Sequence, residues 1–299
     1  MTKDMLASHA MSDNRSFVMS PDLMAFLAVV MWSFSFPASK VAQADLSPTG
    51  IVLLRYIAAS LFFVPFLLSG KIARVPVSDW FRIALPALIG VTAYQILFVS
   101  GVARVTPAAA SMIISTTPIF AALLAYLIQG TKLSKRQVNG TALGFVGVAL
   151  ICTSNGTDGD LFGFGMMLAA TLCMAAYFLL QKPILTKYTS FDLVAYNTWI
   201  ATISMLVFAP SMIADLSAGP STSSLISVVI MGVFSSGLGF VFWFKAIALS
   251  NPTRVASFMY LQPVIVGLMA WVWINAVPTF QACVGGALVL SVLIYMNRK

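Results

Sequence analysis

The feature that most constrains this chain is a recurring run of about twenty apolar residues, separated by polar stretches of barely a dozen residues at most. Such runs fall near 22–41, 48–69, 80–101, 106–128, 137–154, 161–181, 191–212, 224–247, 252–274 and 279–296. A run of this length is a helix that crosses a bilayer, whereas barrel strands would alternate over about ten residues. With 60% of residues apolar and 9% charged, there are too few charges to cover a water-facing surface, which excludes a soluble globular enzyme. The expectation is an all-α membrane protein with ten transmembrane helices in one compact transmembrane domain, preceded by a disordered cytoplasmic tail over 1–20.

The basic residues test that count. Placed on alternate sides of ten spans, fourteen Lys and Arg fall on one side and only Lys40 and Arg104 on the other, with Arg55 left inside span two. A missed helix would scramble this asymmetry, and the positive-inside rule then puts both termini in the cytoplasm. The same distribution argues against nucleic acid as a partner despite a pI of about 9.6, because the cations sit in interhelical loops.

Composition also removes most active-site chemistry. There are nine Asp, no Glu, and one His, His9, in the polar leader, so neither a Ser-His-Asp site nor a zinc cluster can be assembled in the spans. Cys152, Cys173 and Cys283 are isolated apolar packing residues. No cofactor and no metal is expected, and a membrane enzyme would be left with a Ser–Lys pair or a tyrosine. Every Asp lies in the tail or near a span boundary, which disfavours coupling through a buried carboxylate.

The second half echoes the first. A shift of 142 places Lys40 on Lys182, Arg55 on Asn197 and Leu88–Val91 on Ile230–Val233. After three inserted residues, a shift of 145 places Thr106-Pro107 on Asn251-Pro252, Pro118 on Pro263 and Gly140 on Gly285. Five spans per half oblige the second repeat to enter the membrane upside down, giving repeats over 21–156 and 157–299. Inverted repeats are a recurrent plan of carriers that work by alternating access around a midplane site.

Three stretches carry a resemblance: Trp32-Ser33-Phe34-Ser35-Phe36-Pro37-Ala38-Ser39-Lys40, Leu54-Arg55-Tyr56 and Thr117-Pro118-Ile119-Phe120-Ala121-Ala122-Leu123-Leu124. With the five-plus-five repeat, they resemble the EamA-type drug/metabolite transporter superfamily over nearly the whole chain after residue 20. The aromatic first helix and the length are most similar to the YddG-type amino-acid exporters of bacterial inner membranes. That resemblance implies export of aromatic and other neutral amino acids, with other metabolites, multidrug efflux and a passive channel as the alternatives. The chain departs from the family at the ends of spans four and nine. A Glu is common there, but this chain has Gly130-Thr131-Lys132 and Asn275-Ala276.

A zwitterionic substrate needs donors, acceptors and an apolar wall. The candidate substrate-binding residues are Trp32, Phe36, Tyr56, Tyr94, Gln95, Ser115, Tyr177, Asn197, Trp199, Trp243, Tyr260 and Gln262, each with packing or interfacial anchoring as its plain alternative. Pro37, Pro118 and Pro263 are hinge candidates, and each frees a carbonyl four residues earlier, at Ser33, Ile114 and Met259, as an acceptor for a substrate ammonium. Arg55 either holds a substrate carboxylate, latches a gate, or snorkels outward or pairs with a neighbour such as Asp45. Gly140 and Gly144 form a G-x-x-x-G matched by Gly285-Gly286, read as intramolecular packing in a monomer; the remaining partners are the lipid bilayer and a small-molecule substrate.

Overall fold

The computed structural model describes residues 19–130, 160–250, 255–256 and 258–275, with further helical positions at 135, 139, 143, 146, 280, 283–288 and 291. Most of the fifth and tenth expected spans, including Gly140 and Gly144, lies outside the described residues. Seven helices are long and apolar enough to cross a membrane: α1 Pro21–Ala42, α2 Pro48–Leu68, α3 Val77–Arg104, α4 Pro107–Ile128, α5 Leu161–Thr186, α6 Ser190–Ser217 and α7 Thr222–Leu249. A shorter apolar helix, α8, runs over Phe258–Ile274.

Local chemistry sets where these helices begin. Ser20, Ser47 and Thr106 each cap a following N–H with the side-chain oxygen, and each is followed by proline in the first turn, where its missing N–H removes no bond. Asp160, Thr189 and Ser221 cap α5, α6 and α7 in the same way.

The middles of four helices are irregular in matching places. α3 passes through a π-helical segment at Leu88–Ala93 and α7 through one at Met231–Gly239. The second is nine residues against six, within two helices of equal length, 28 residues each. α4 breaks at Ser115-Thr116 and resumes at Thr117; α8 opens with a 3-10 turn, Phe258–Leu261, and becomes α-helical at Gln262, 145 residues later. Both then end in a left-handed residue, Gly130 at φ 65° and Asn275 at φ 52°. Gly and Asn are the residues that take that conformation most readily.

Polar contacts sort the helix ends onto two faces. On one face Lys40 Nζ donates to the Ala103 carbonyl at 3.1 Å, Arg104 pairs with Asp160 at 2.6 Å, and the Ser47 amide donates to Asp215 at 3.0 Å. The end of α1 and the start of α5 therefore share a face, so these two helices run in opposite directions although a shift of 142 superposes their sequences. On the other face the Ala73 amide donates to Asp192 at 2.8 Å, and Lys187 pairs with Asp79.

The two halves interlock through the irregular segments. The π segment of α3 packs on α5 and α6, and that of α7 packs on α1 and α2. Apolar solvent gives helices no hydrophobic reason to associate, so close backbone approach has to supply the contact. A Cβ on Gly90 would lie 2.0 Å from that of Tyr177, and one on Gly232 would lie 2.4 Å from the Arg55 carbonyl oxygen. Gly286 approaches Met112 of α4, where a Cβ would meet the methionine methyl at 2.7 Å, in keeping with intramolecular packing.

Candidate functional site

Arg55 is the deepest charge. Seven residues into α2, about 10 Å along the helix, its side chain is only 2% exposed. Nε donates to Ser236 Oγ at 2.6 Å, one terminal nitrogen donates to Ser35 Oγ at 3.2 Å, and the other lies 4.0 Å from Met231 Sδ. The snorkelling and Asp45-paired alternatives are thereby corrected. Asp45 is instead taken up at the start of α7, where it accepts from the Ser221 hydroxyl, from Ser224 Oγ at 2.6 Å and from the Ser221 amide at 3.0 Å. The Ser221 hydroxyl, then Ser224 and the Ser221 amide, hold that carboxyl below its ordinary range. Among the described residues no carboxylate pairs with Arg55.

The guanidinium faces a narrow central cavity of about 20 Å³, room for about one water molecule. Its walls are Trp32, Ser35, Phe36, Arg55, Tyr94, Gln95, Phe98, Ile114, Met174, Phe240, Met259 and Gln262. Five of these twelve residues are aromatic: Trp32 meets Phe240 at a tilt with centroids 5.0 Å apart, and Phe36 meets Phe98 edge-on at 5.0 Å. Two acceptors stand among them, since Gln95 Oε1 and Gln262 Oε1 are buried without a hydrogen-bond partner. The cavity straddles the repeat relation. Trp32 and Met174 are equivalent at 142, and Ile114 and Met259 are equivalent at 145.

Of the sequence candidates, Trp32, Phe36, Arg55, Tyr94, Gln95 and Gln262 thus come together. The rest lie around them. Tyr56 is buried, its hydroxyl beside Ser236 and Gln95 but outside bonding geometry. Trp243 packs on Trp32 at 4.9 Å. Tyr177 accepts from Asn197 Nδ2 at 2.9 Å, one layer behind Phe240. Trp199 is half-buried away from the cavity and donates to the Ser60 carbonyl at 3.4 Å; Tyr260 is half-buried in the opening turn of α8.

The break in α4 corrects one expectation. Ser115, Thr116 and Thr117 donate back to the carbonyls of Met112, Ile113 and Ile114 at 2.7, 2.6 and 2.5 Å. The Ile114 carbonyl freed by Pro118 is therefore occupied by its own helix and does not await an ammonium. Pro37 lies buried within α1, and Pro263 stands in the first turn after the 3-10 opening of α8.

Sequence reasoning missed Ser35 and Ser236, which hold Arg55, and Phe98 and Met174, which close the walls. The repeat contained a signal for two of them. The shift of 142 places Ser35 on Tyr177 and Met174 on Trp32, and the structure bonds both Arg55 to Ser35 and Asn197 to Tyr177.

A second, larger groove of about 410 Å³ lies at the Lys187 face, between the start of α3 and the α5–α6 turn. Its Asp79 is engaged by Lys187 and Tyr188, and the bond to Asp79 raises the titration of both partners.

A duplicated bundle of apolar helices around a small, polar-studded cavity defines a multi-pass membrane transporter class of protein. Comparison with known proteins agrees. The model of the EamA-like transporter family matches twice, over residues 19–153 and 161–298, and the chain belongs to that family. Among its relatives is a "probable terminal-alkyne amino-acid exporter" of Streptantibioticus cattleyicolor, 30% identical over 91% of this chain and 92% of that one. An uncharacterized transporter of Archaeoglobus fulgidus is 26% identical over 91% of this chain and 97% of its own. The uncharacterized transporter YdfC of Bacillus subtilis is 24% identical over 91% of this chain and 89% of its own. A protein of known crystal structure shares the fold with a TM-score of 0.65 at 19% identity, covering 93% of this chain and 97% of the other.

Proposed function

We propose that this chain is a monomeric carrier of a bacterial inner membrane that exports amino acids with aromatic or other neutral side chains. It works by alternating access between two inverted five-helix repeats, ten spans in all, with both termini in the cytoplasm. The observation that carries this reading is Arg55, a buried guanidinium held by two serine hydroxyls and facing an aromatic cavity. A charge this deep is costly unless an anion meets it, and a substrate carboxylate is such an anion. The Gln95 and Gln262 amide oxygens offer acceptors for the ammonium, and Trp32, Phe36, Phe98 and Phe240 offer the wall for the side chain.

The family and the relative described as an amino-acid exporter support the substrate class. The cavity's fixed charge is positive, and the described aspartates stand at or near helix ends, which favours movement without a carboxylate-borne proton. At about 20 Å³ the cavity is too small for an amino acid, so in this reading its walls part to load.

Counterflow in proteoliposomes tests this. Labelled phenylalanine is expected to exchange against neutral amino acids but not against phenylalanine amide, which lacks the carboxylate. Arg55→Gln should lower that exchange roughly tenfold or more, the value of a charge-assisted hydrogen bond. Equal exchange of the amide, or inhibition by cationic dyes alone, would overturn the reading.

A further inference from the structure

The buried polar groups are not distributed evenly between the two mouths of the bundle. At the face carrying the α1–α2 turn they are paired across helices: the fully buried Ser224 Oγ donates to Asp45 at 2.6 Å and lies 3.2 Å from the Val41 carbonyl. From the middle of the bundle, where Tyr56 stands beside Arg55, toward the opposite face, which carries Lys71 and Lys187, four residues hold buried polar atoms without partners. They are the Tyr56 hydroxyl, Asn197 Oδ1, the Trp243 indole N–H and both amide atoms of Gln181. Gln181 is 0% exposed. It ends the α-helical part of α5, Trp243 stands six residues before the end of α7 at Leu249, and Asn197 stands seven after the start of α6 at Ser190.

These residues are contiguous with the cavity. Tyr177, which accepts from Asn197, meets Phe240 of the cavity wall at 5.8 Å, and Phe178 and Trp243 pack at 5.6 Å beside it. The aromatic rings separate the strip from the cavity. Unpartnered amides in a dry helix interface are unfavourable, and the polar neighbours here stand outside bonding geometry. Such groups find partners where water or a ligand occupies the space between the helices in another arrangement of the same bundle.

We infer that Tyr56, Asn197, Gln181 and Trp243 form the collapsed wall of the passage from the Lys71/Lys187 face to the central cavity, and that on opening they make a neutral hydrogen-bonding site for a dipolar solute of no net charge. The amides and the phenol both donate and accept, and the indole donates, so the strip can meet an ammonium and a carboxylate in turn. Having no fixed charge, it passes a zwitterion on to Arg55 without trapping it. The identity of the solute rests on the amino-acid reading above; the position of the passage does not.

The test uses the full chain with Cys152, Cys173 and Cys283 replaced, Gln181→Cys introduced, and the protein reconstituted in one orientation. A membrane-impermeant maleimide is expected to label position 181 from the face that also labels Lys187→Cys, several-fold more slowly with saturating phenylalanine. Gln181→Leu should lower phenylalanine exchange about tenfold while leaving the substrate-induced thermal shift in detergent intact. Labelling from the opposite face, or from neither face in a variant that still exchanges, would overturn the passage, as would wild-type exchange by Gln181→Leu. The two proposals fail separately: an unlabelled Gln181→Cys beside an inactive Arg55→Gln removes the passage alone. A labelled Gln181→Cys beside a fully active Arg55→Gln removes the carboxylate reading alone.

Discussion

Arg55 is held in hydrocarbon by geometry instead of charge neutralisation: its planar fork spans Ser236 on α7 and Ser35 on α1, so one side chain ties three helices together. Ser236 is then a positioning residue. Ser236→Ala should raise the KM for phenylalanine about fivefold, the value of roughly 1 kcal/mol for one lost hydrogen bond, with kcat and folded yield unchanged. A fall in yield at constant KM would assign the serine to packing. Arg55→Lys keeps the charge but loses the fork, and should retain about a tenth of the exchange or less. Arg55 was legible in the sequence because a charge within an apolar run stands out. Its serine partners were not, since serine is an ordinary small residue in transmembrane helices and only the tertiary packing shows which ones meet a guanidinium.

At the scale of the helix, the starts were readable and the middles were not. Ser-Pro and Thr-Pro pairs mark the beginnings of α1, α2 and α4 from local chemistry alone. The π segments carry no comparable local signature. Their close contacts make a prediction: Gly232→Val drives a side chain into the backbone of α2 at Arg55 and should destabilise the protein by about 1–3 kcal/mol, read as a lower melting temperature in detergent. The α7 cap gives another. Asp45 titrates lower folded than unfolded, so its contribution is fully present above the unfolded value near 3.9 and is lost as pH falls through the folded value. Between pH 7 and pH 3 the melting temperature of the wild type should therefore drop further than that of Asp45→Ala. Equal drops would mean that the cap does not tie the α1–α2 turn to α7.

For the whole molecule, the internal duplication was legible as matching prolines and shifts, and the structure gives it a physical form: α1 and α5 run oppositely, and each π segment packs on the first two helices of the other half. What sequence similarity between the halves does not reveal is their functional inequality. The guanidinium sits in one half, its repeat equivalent is the amide of Asn197, and the first half's broken helix plugs its own carbonyls with the hydroxyls of Ser115, Thr116 and Thr117, where the second half has Tyr260, Leu261 and Gln262. A symmetric scaffold with an asymmetric interior has a definite inside and outside, and the basic residues say which is which. The turns at Lys71 and Lys187 belong to the cation-rich side, so cysteines there should react with an impermeant reagent only from the cytoplasm, and Ser223→Cys, on the opposite face, only from the periplasm. Seven helices long enough to cross the membrane and the shorter α8 are described, and the proposed arrangement counts α8 as a span and adds two more within 131–159 and 276–299, an even total of ten. Tags at the two termini should then both be cytoplasmic. Tags on opposite sides of the membrane would leave an odd number of spans, which two inverted five-helix repeats cannot have.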